Sequence, residues 1–500
     1  MHNLSDYIRH WALHAPEQEA IVFGDERISY AAFEQQVEKT ASSLTGFGIT
    51  RGDRVAIQML SCPHYFTLYM AIARVGAIMV GLNPQYTAEE AAYILEVSRP
   101  KLLVSTPAFV AQLNLALEQV PVPKRLLSEG TSPGWSGWEE FNALNQGRDW
   151  QIDLQDPVLI VFTSGTTGKP KAAVLSHQNI ISNIEVEVRQ FGLTSKDRMI
   201  HHLPMNHVGG ATELAIGAFI SGATLLVMER FHPEATLELA VREQATFLGQ
   251  VPAMFIMEMN LPNFDQFDLS SIRLFVVSGA PAQETFVKRL ATIAPVLNGY
   301  GMSEAAGFVT YTGLNDDADT VAKTVGKAPP EIQLRVVDER GQDLPTGEIG
   351  EVCVRGPCVM DGYYANEQAT REAFADDKWY RTGDMGFLDI RAYLTLAGRK
   401  KEMYISGGYN VYPVEIEEAI SKHPDVMLSA CIGVTHEVLG EVGKAFVVAK
   451  AGHSIDPEEL KSFLAKRLAK YKIPEYVEVR ENLPLTPLGK VDKKRLDTGQ

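Results

Sequence analysis

The chain has 500 residues, more than one core usually organises, so two or more domains are expected. Its 45% hydrophobic and 22% charged residues are ordinary for a globular chain, and a net charge of −16 argues against nucleic acid or an anionic membrane surface as partner. The acidity is uneven: from Lys401 onward 14 Lys and Arg face 15 Asp and Glu, so the preceding residues carry almost all of the excess. Cys62, Cys353, Cys358 and Cys431 lack metal-ligand spacing and read as buried thiols of a reducing compartment. The first residues have no apolar core with a cleavage site, and no run approaches the ~20 apolar residues of a membrane span, so a cytoplasmic location is expected.

Strand and helix signals alternate from the start. Ala20–Phe23, the turn Gly24-Asp25 and Ile28–Tyr30 read as a hairpin, and Phe33, Val37, Ala41 and Leu44 recur at helical spacing. Arg54–Leu60, Ala77–Leu82 and Leu102–Ser105 read as strands, with helices over Tyr65–Val75 and Ala88–Val97 between them. Residues 121–150, punctuated by Pro121, Pro123, Gly130, Pro133, Gly134 and Gly137, read as a surface connection. A second alternating block runs from Asp156 to Thr312 and opens on a buried strand, Val158–Phe162. Such alternation predicts mostly parallel sheets covered by helices on both faces. Ile332–Val337, the turn Glu339–Gly341 and Gly350–Val354 then predict a small antiparallel sheet or barrel. After Gly398 a compact unit reads βαββα, ending in a helix with Asp456 as N-cap, Pro457 at its first position and Leu460, Phe463, Leu464 and Leu468 as its apolar stripe. The fold class is α/β.

The segment Thr163-Ser-Gly-Thr-Thr-Gly-Lys-Pro-Lys171 follows the buried strand. Gly165 and Gly168 remove side chains that would hold a phosphate away from the backbone, while four hydroxyls and two lysines supply donors and positive charge. This is a polyphosphate cradle, although alone it also reads as a polar glycine turn. It is not a Walker A loop, because only two residues separate the glycines and Pro170 stands where a magnesium-binding hydroxyl would be. Further motifs follow in order: Asn298-Gly-Tyr-Gly-Met-Ser-Glu304, Trp379-Tyr-Arg-Thr-Gly-Asp384, Gly398-Arg-Lys-Lys-Glu402 with Ser406-Gly-Gly-Tyr-Asn-Val-Tyr-Pro413, and Pro487-Leu-Gly-Lys490. Across nearly the whole chain this set resembles the acyl-adenylate-forming superfamily, which includes acyl-CoA synthetases, peptide-synthetase adenylation domains and firefly luciferase.

The resemblance implies a large N-terminal domain, 1–400, of two helix-covered sheets with a small β-barrel-like subdomain. A small mobile α+β domain, 401–500, would hinge near Lys401. ATP phosphates would lie on Thr163, Ser164, Gly165, Thr166, Thr167, Gly168 and Lys171, with Thr166 among the catalytic residues. The nucleotide would run along Gly279, Ala280 and Pro281 and along Asn298, Gly299, Tyr300, Gly301, Met302 and Ser303, with the Tyr300 ring against adenine. Glu304 would bind Mg²⁺, and Asp384 and Arg399 the ribose. Lys490 would bridge the acid and the α-phosphate, His207 would lie over the acid tunnel, and Gly407 and Gly408 would let the CoA arm pass. Lys493, Lys494 and Arg495 read as solvated charge.

No aspartate of the kind that grips an α-amino group is evident near His207, which argues against amino acids. Gly209, Gly210, Ala305, Ala306 and Gly307 suggest room for a medium or long chain or an aryl ring. Tyr409, where many relatives have Glu, leans towards fatty acyl-CoA ligases. The resemblance thus implies a ligase that uses ATP, Mg²⁺ and CoA to activate a fatty or aryl carboxylic acid. Transfer to an amine or a carrier protein is the alternative, with a luciferase-like oxygenase or a non-catalytic nucleotide binder more remote. The oligomeric state, a homodimer included, stays open.

Overall fold

Ser29 accepts the Ala32 amide and starts the helix Tyr30–Gly46, whose Phe33, Val37, Ala41 and Leu44 face the core without exposure. The next helix, Pro63–Arg74, is buried on every side except at His64, as expected of a helix packed between layers rather than on a surface. Its terminal Arg74, 2% exposed, is tolerated there because Glu34 and Glu38 approach its guanidinium to 2.7 and 2.9 Å. The computed structural model describes residues 1–147, 150–163, 169–486 and 490–496.

These helices lie in one core with side chains from two large sheets. The seven-stranded sheet runs Gly362–Tyr363, Lys171–Ser176, Pro157–Thr163, Ile78–Gly81, Arg54–Gln58, Leu102–Ser105 and Lys124–Leu127. The eight-stranded sheet runs Gly307–Tyr311, Val296–Met302, Leu274–Ser278, Phe247–Gln250, Arg198–His201, Thr224–Val227, Glu19–Phe23 and Glu26–Ser29. Its six inner strands are parallel, and an antiparallel strand closes each edge.

One reading of the sequence needs correction here. The stretch 121–150 is not only a surface connection: Lys124–Leu127 extends the seven-stranded sheet in parallel, and Val122, Leu126, Leu127, Trp135 and Phe141 are buried. Its proline and glycine punctuation hid a four-residue strand that opens on Lys124 and Arg125. The cradle strand Pro157–Thr163 returns as the antiparallel strand Lys171–Ser176, with Thr163 opposite Lys171.

Beyond the large sheets, Gln333–Val337, Gly350–Arg355, Trp379–Leu388, Phe374–Ala375 and Leu394–Arg399 form a curled antiparallel sheet, as the strand-rich pattern predicts. The C-terminal unit has a fuller order than βαββα. A hairpin of Tyr404–Ser406 and Tyr409–Val411 precedes the helix Pro413–Ser421, followed by the long hairpin Val426–His436 and Gly440–Ala449, the helix Pro457–Ala465 and the strand Tyr476–Val479. Asp456 caps that last helix through the amides of Glu458 and Glu459, and Leu460 and Leu464 are fully buried beneath it. Among the described residues no helix is long and apolar enough to cross a membrane.

Gly326 ties the eight-stranded sheet to the curled one. Its neighbour Lys327 bridges Tyr311, and its carbonyl accepts the Leu394 amide at 2.7 Å. Its φ is +76°, and a Cβ there would lie 1.8 Å from the Tyr311 carbonyl carbon. Left-handed strain and backbone overlap add, so Gly326→Ala is expected to cost about 2 kcal/mol or more. The melting temperature should fall accordingly, and an unchanged melting curve would contradict this reading of the junction.

Candidate active site

Parallel sheets present their loops, and most often their ligands, at the carboxyl ends of the strands. Leu274–Ser278 and Val296–Met302 end side by side there, with Ser278 paired to Gly299. Gly279 follows at a φ of +82°, and the missing side chain makes room for another part of the chain: a Cβ at Gly279 would lie 2.9 Å from Lys490 Cε and 3.2 Å from its Nζ. Ala280 and Pro281 continue from it as exposed residues. Lys490 is therefore held against the end of this sheet. Burial and the Arg399 charge push its amine below the ordinary lysine range, while Asp384 and Glu213 oppose that shift.

Asp384 and Arg399 face each other across neighbouring antiparallel strands, which brings Arg399 Nε to 2.9 Å from Asp384 Oδ1. The Tyr300 hydroxyl donates to the other carboxylate oxygen at 2.6 Å. Asp384 is 6% exposed, and burial raises its pKa above the ordinary aspartate range against the pull of Arg399, Tyr300 and Lys490. Tyr300 thus presents both a ring and a hydroxyl that fixes the carboxylate beside it.

A second group forms where the cradle hairpin meets the strand Gly362–Tyr363. Thr163 Oγ1 donates to the Lys171 carbonyl at 3.4 Å, and Lys171 Nζ stands 5.0 Å over the Tyr363 ring. The Tyr363 hydroxyl donates to Glu304 Oε1 at 2.9 Å and lies 3.4 Å from the Tyr380 hydroxyl. Tyr363 escaped the sequence reading because a Gly-Tyr-Tyr turn carries no chemical signal alone. Ser164, Gly165, Thr166, Thr167 and Gly168, assigned to the cradle, lie outside the described residues.

His207 Nδ1 accepts the Gly209 amide at 3.2 Å, so the neutral ring carries its proton on Nε2. Burial, and then the Lys490 charge, push it down to about 3, which keeps it neutral throughout the physiological range. Glu213 lies in the π-helical turn Gly209–Leu214 that follows. Burial pushes its carboxyl up to about 7, with Lys490 opposing. A lone acid in the apolar run Ala211–Ser221 was the available signal for it.

The small residues expected to leave space do so only in part. A Cβ on Gly210 would meet the Pro204 carbonyl at 2.4 Å, and one on Gly307 would meet Glu187 Oε1 at 2.5 Å. The Ala305 and Ala306 carbonyls accept Asn183 Nδ2 and Thr212 Oγ1 at 2.6 and 2.7 Å. These residues are small chiefly because backbone and polar groups approach them closely.

Several expected nucleotide contacts have other work. Asn298 spends both amide hydrogens on the Val321 and Thr324 carbonyls, at 2.9 and 3.0 Å, and so anchors its strand. Gly299 and Gly301 admit the Phe308 ring and the Gly307 carbonyl, at 2.7 and 2.2 Å from their Cβ positions. Met302 leads into the short turn Ser303–Ala305, in which Ser303 and Glu304 are buried. Gly407 and Gly408, at φ of +56° and +87°, make the two-residue turn of their hairpin. A Cβ on Gly408 would meet nothing within 4 Å. Lys493 is not simply solvated: its amine lies 3.1 Å from Glu402 and 2.8 Å from Glu417, and these carboxylates raise it above the ordinary lysine range.

Tyr300→Phe removes the hydroxyl that satisfies buried Asp384 and leaves the ring in place. An unmet buried acceptor costs about 1–3 kcal/mol, so the variant should melt earlier than wild type, and equal melting temperatures would remove that bond from the structure's support.

The AMP-binding enzyme family model matches residues 8–364, and that of the AMP-binding enzyme C-terminal domain matches residues 415–490. The chain is 35% identical to the indoleacetate–CoA ligase of Aromatoleum aromaticum, over 98% of this chain and 96% of that one. It is 32% identical to the mitochondrial medium-chain acyl-CoA ligase ACSF2 of Homo sapiens, over 97% and 85% of the two chains. The crystal structure of ATP-bound MatB from Rhodopseudomonas palustris superposes with a TM-score of 0.90 at 33% identity, covering 99% of this chain and 98% of that one. Strand order, site and similarity agree, and the chain belongs to the AMP-binding, adenylate-forming enzyme family.

Proposed function

We propose that this chain is an AMP-forming acid–thiol ligase of the cytoplasm. It joins a carboxylic acid, fatty or aryl, to ATP as an acyl-adenylate and then transfers the acyl group to CoA. The observation that carries this reading is Lys490, brought from the end of the chain to Gly279 beside Asp384, Arg399 and His207. A substrate carboxylate attacking the α-phosphorus sets two anions against each other. A cation between them stabilises that approach more than it stabilises either anion apart, and so acts on the transition state.

The other residues take roles that follow from their geometry. Asp384, fixed by Tyr300 and Arg399, accepts the ribose hydroxyls. Lys171 and the cradle receive the β- and γ-phosphates, whose departure as pyrophosphate completes adenylation. Neutral His207 offers Nε2–H towards the acid without competing for charge with Lys490. Glu304 suits Mg²⁺: Tyr363 holds Oε1, while Oε2 makes no hydrogen bond among the described residues. Those residues contain no cluster of three acidic, histidine or cysteine side chains that could hold a metal, and an ion that prefers phosphate oxygens and water needs only one carboxylate. When bound, Mg²⁺ would neutralise phosphate charge.

Thioester formation requires the CoA thiol to attack the acyl carbonyl and expel AMP. In the described conformation Lys490 occupies the site and the Gly407–Gly408 turn is exposed. A rotation of 401–500 about Lys401 would exchange the two. Lys490→Ala should therefore lower acyl-adenylate formation by ~10²–10³, the usual loss of one positioned donor. Thioester formation from supplied acyl-adenylate and CoA should stay near wild type. Equal losses in both half-reactions would refute the exchange.

Gly408 requires a residue that accepts positive φ, which selects asparagine as the informative bulky substitution. Gly408→Asn should keep acid-dependent pyrophosphate exchange and depress CoA-dependent turnover. Unaltered CoA turnover would remove this turn from the thiol path. A wild type that ignores CoA and consumes amines would instead support amide formation.

A further inference from the structure

Glu213 belongs to the site but has no part in the chemistry above. It makes no hydrogen bond or ion pair with any described residue. Its position is fixed by two glycines. A Cβ on Gly209 would lie 3.7 Å from Glu213 Oε2 and 3.6 Å from His207 Nδ1, so the carboxylate and the imidazole flank one α-carbon. A Cβ on Gly307 would lie 3.4 Å from Glu213 Cγ and 2.5 Å from Glu187 Oε1, so a second carboxylate stands behind the first. Glu187 is committed: it is 1% exposed and accepts the Phe308 amide at 3.1 Å. Two carboxyl groups enclosed this closely do not both ionise, and burial together with Glu213 holds Glu187 well above the carboxylate range. Glu187, the more deeply buried of the two, therefore holds a proton more firmly than Glu213, and Glu213 faces the acid end of the site as an acceptor with no donor among the described residues.

We infer that Glu213 is the specificity determinant of the acid pocket, selecting carboxylic acids that carry an N–H or O–H donor in the body of the molecule and rejecting dicarboxylic acids. This rests on the ligase reading, which puts the substrate carboxylate at Lys490 and His207 and its body beyond them towards Glu213. A half-buried acceptor gains a partner from such a donor and loses water without replacement against a plain alkyl or phenyl group. A second carboxylate in the body of the acid would place another negative charge against the Glu213 carboxylate.

The test uses the full chain and acid-dependent pyrophosphate exchange with matched acids: indole-3-acetate against 1-methylindole-3-acetate, 4-hydroxyphenylacetate against phenylacetate, and hexanoate against adipate. Wild type should favour the donor-bearing member of at least one aryl pair by about 10-fold or more in kcat/KM, and hexanoate over adipate. Glu213→Leu should bring the aryl pairs to within about 3-fold by losing the donor acid and gaining the plain one. Glu213→Gln, which keeps the shape should Glu213→Leu fail to fold, should relieve the discrimination against adipate. ATP affinity measured by calorimetry should stay within about 3-fold of wild type in both variants. An unchanged order of preference in the variants, or a wild type indifferent within every pair, overturns the inference while leaving the ligase reading intact. Absence of exchange with every acid would strike at the ligase reading itself, and with it this one.

Discussion

A lysine ammonium enclosed by protein persists only where its charge is answered, and Lys490 is the point at which this chain meets that requirement. Arg399 and burial press its proton off, and Asp384 and Glu213 press it on. The residues that answer it come from the curled sheet and from the π-helical turn after His207, so the site is complete only when the last part of the chain reaches the end of the eight-stranded sheet. Gly279 supplies the steric half of the same constraint, because any side chain there would occupy the position of the lysine. His207 is neutral for a related reason: a second cation beside Lys490 would not be compensated, and its Nδ1 is already fixed as an acceptor by Gly209.

The parts legible in the sequence are those whose signal is local. Alternating apolar runs gave strands and helices close to their observed bounds, from Leu102–Ser105 to the capped helix after Asp456. Glycine-rich motifs marked where backbone approaches something closely. They did not say what approaches: Gly299, Gly301 and Gly307 admit a ring, a carbonyl and a carboxylate of the protein itself, which a motif cannot distinguish from a ligand. Asn298 lies in the same motif and serves the Val321 and Thr324 carbonyls. The strand Lys124–Leu127 was hidden because its first two residues are charged and its apolar length is two residues. Tyr363 and Glu213 were missed because their importance lies in partners over fifty residues away or in the lack of a hydrogen-bond partner among the described residues, and neither condition leaves a periodic trace.

Charged residues near the C-terminus show the same limit in reverse. Composition treats Lys493 as solvated, yet it binds Glu402 directly after the proposed hinge and Glu417 in the helix Pro413–Ser421. The Leu485–Val491 bridge and the Thr486–Lys490 hydrogen bonds hold Lys490 in the same short structure. These contacts lie within 401–500, so a rotation at Lys401 need not break any of them. It would need to break what crosses the boundary, including the packing of Lys490 against Gly279, its balance with Asp384 and Arg399, and the approach of Tyr412 to Gly398.

That balance would give the proposed conformational exchange a physical driver. In the proposed reaction the lysine would face, before adenylation, a substrate carboxylate, an α-phosphate and the protein's own carboxylates, and anionic charge would hold it in place. Once pyrophosphate leaves and the acyl-adenylate forms, the acid's carboxylate charge is gone and the phosphoryl charge is reduced. Burial of the ammonium then has less to offset it, while Asp384 remains engaged with Arg399 and Tyr300. The same chemistry that consumes the first substrates would thus weaken the contact that, in the proposed exchange, keeps the Gly407–Gly408 turn away. Coupling of this kind needs no separate signal, because the reaction itself changes the charge that Lys490 was placed to meet.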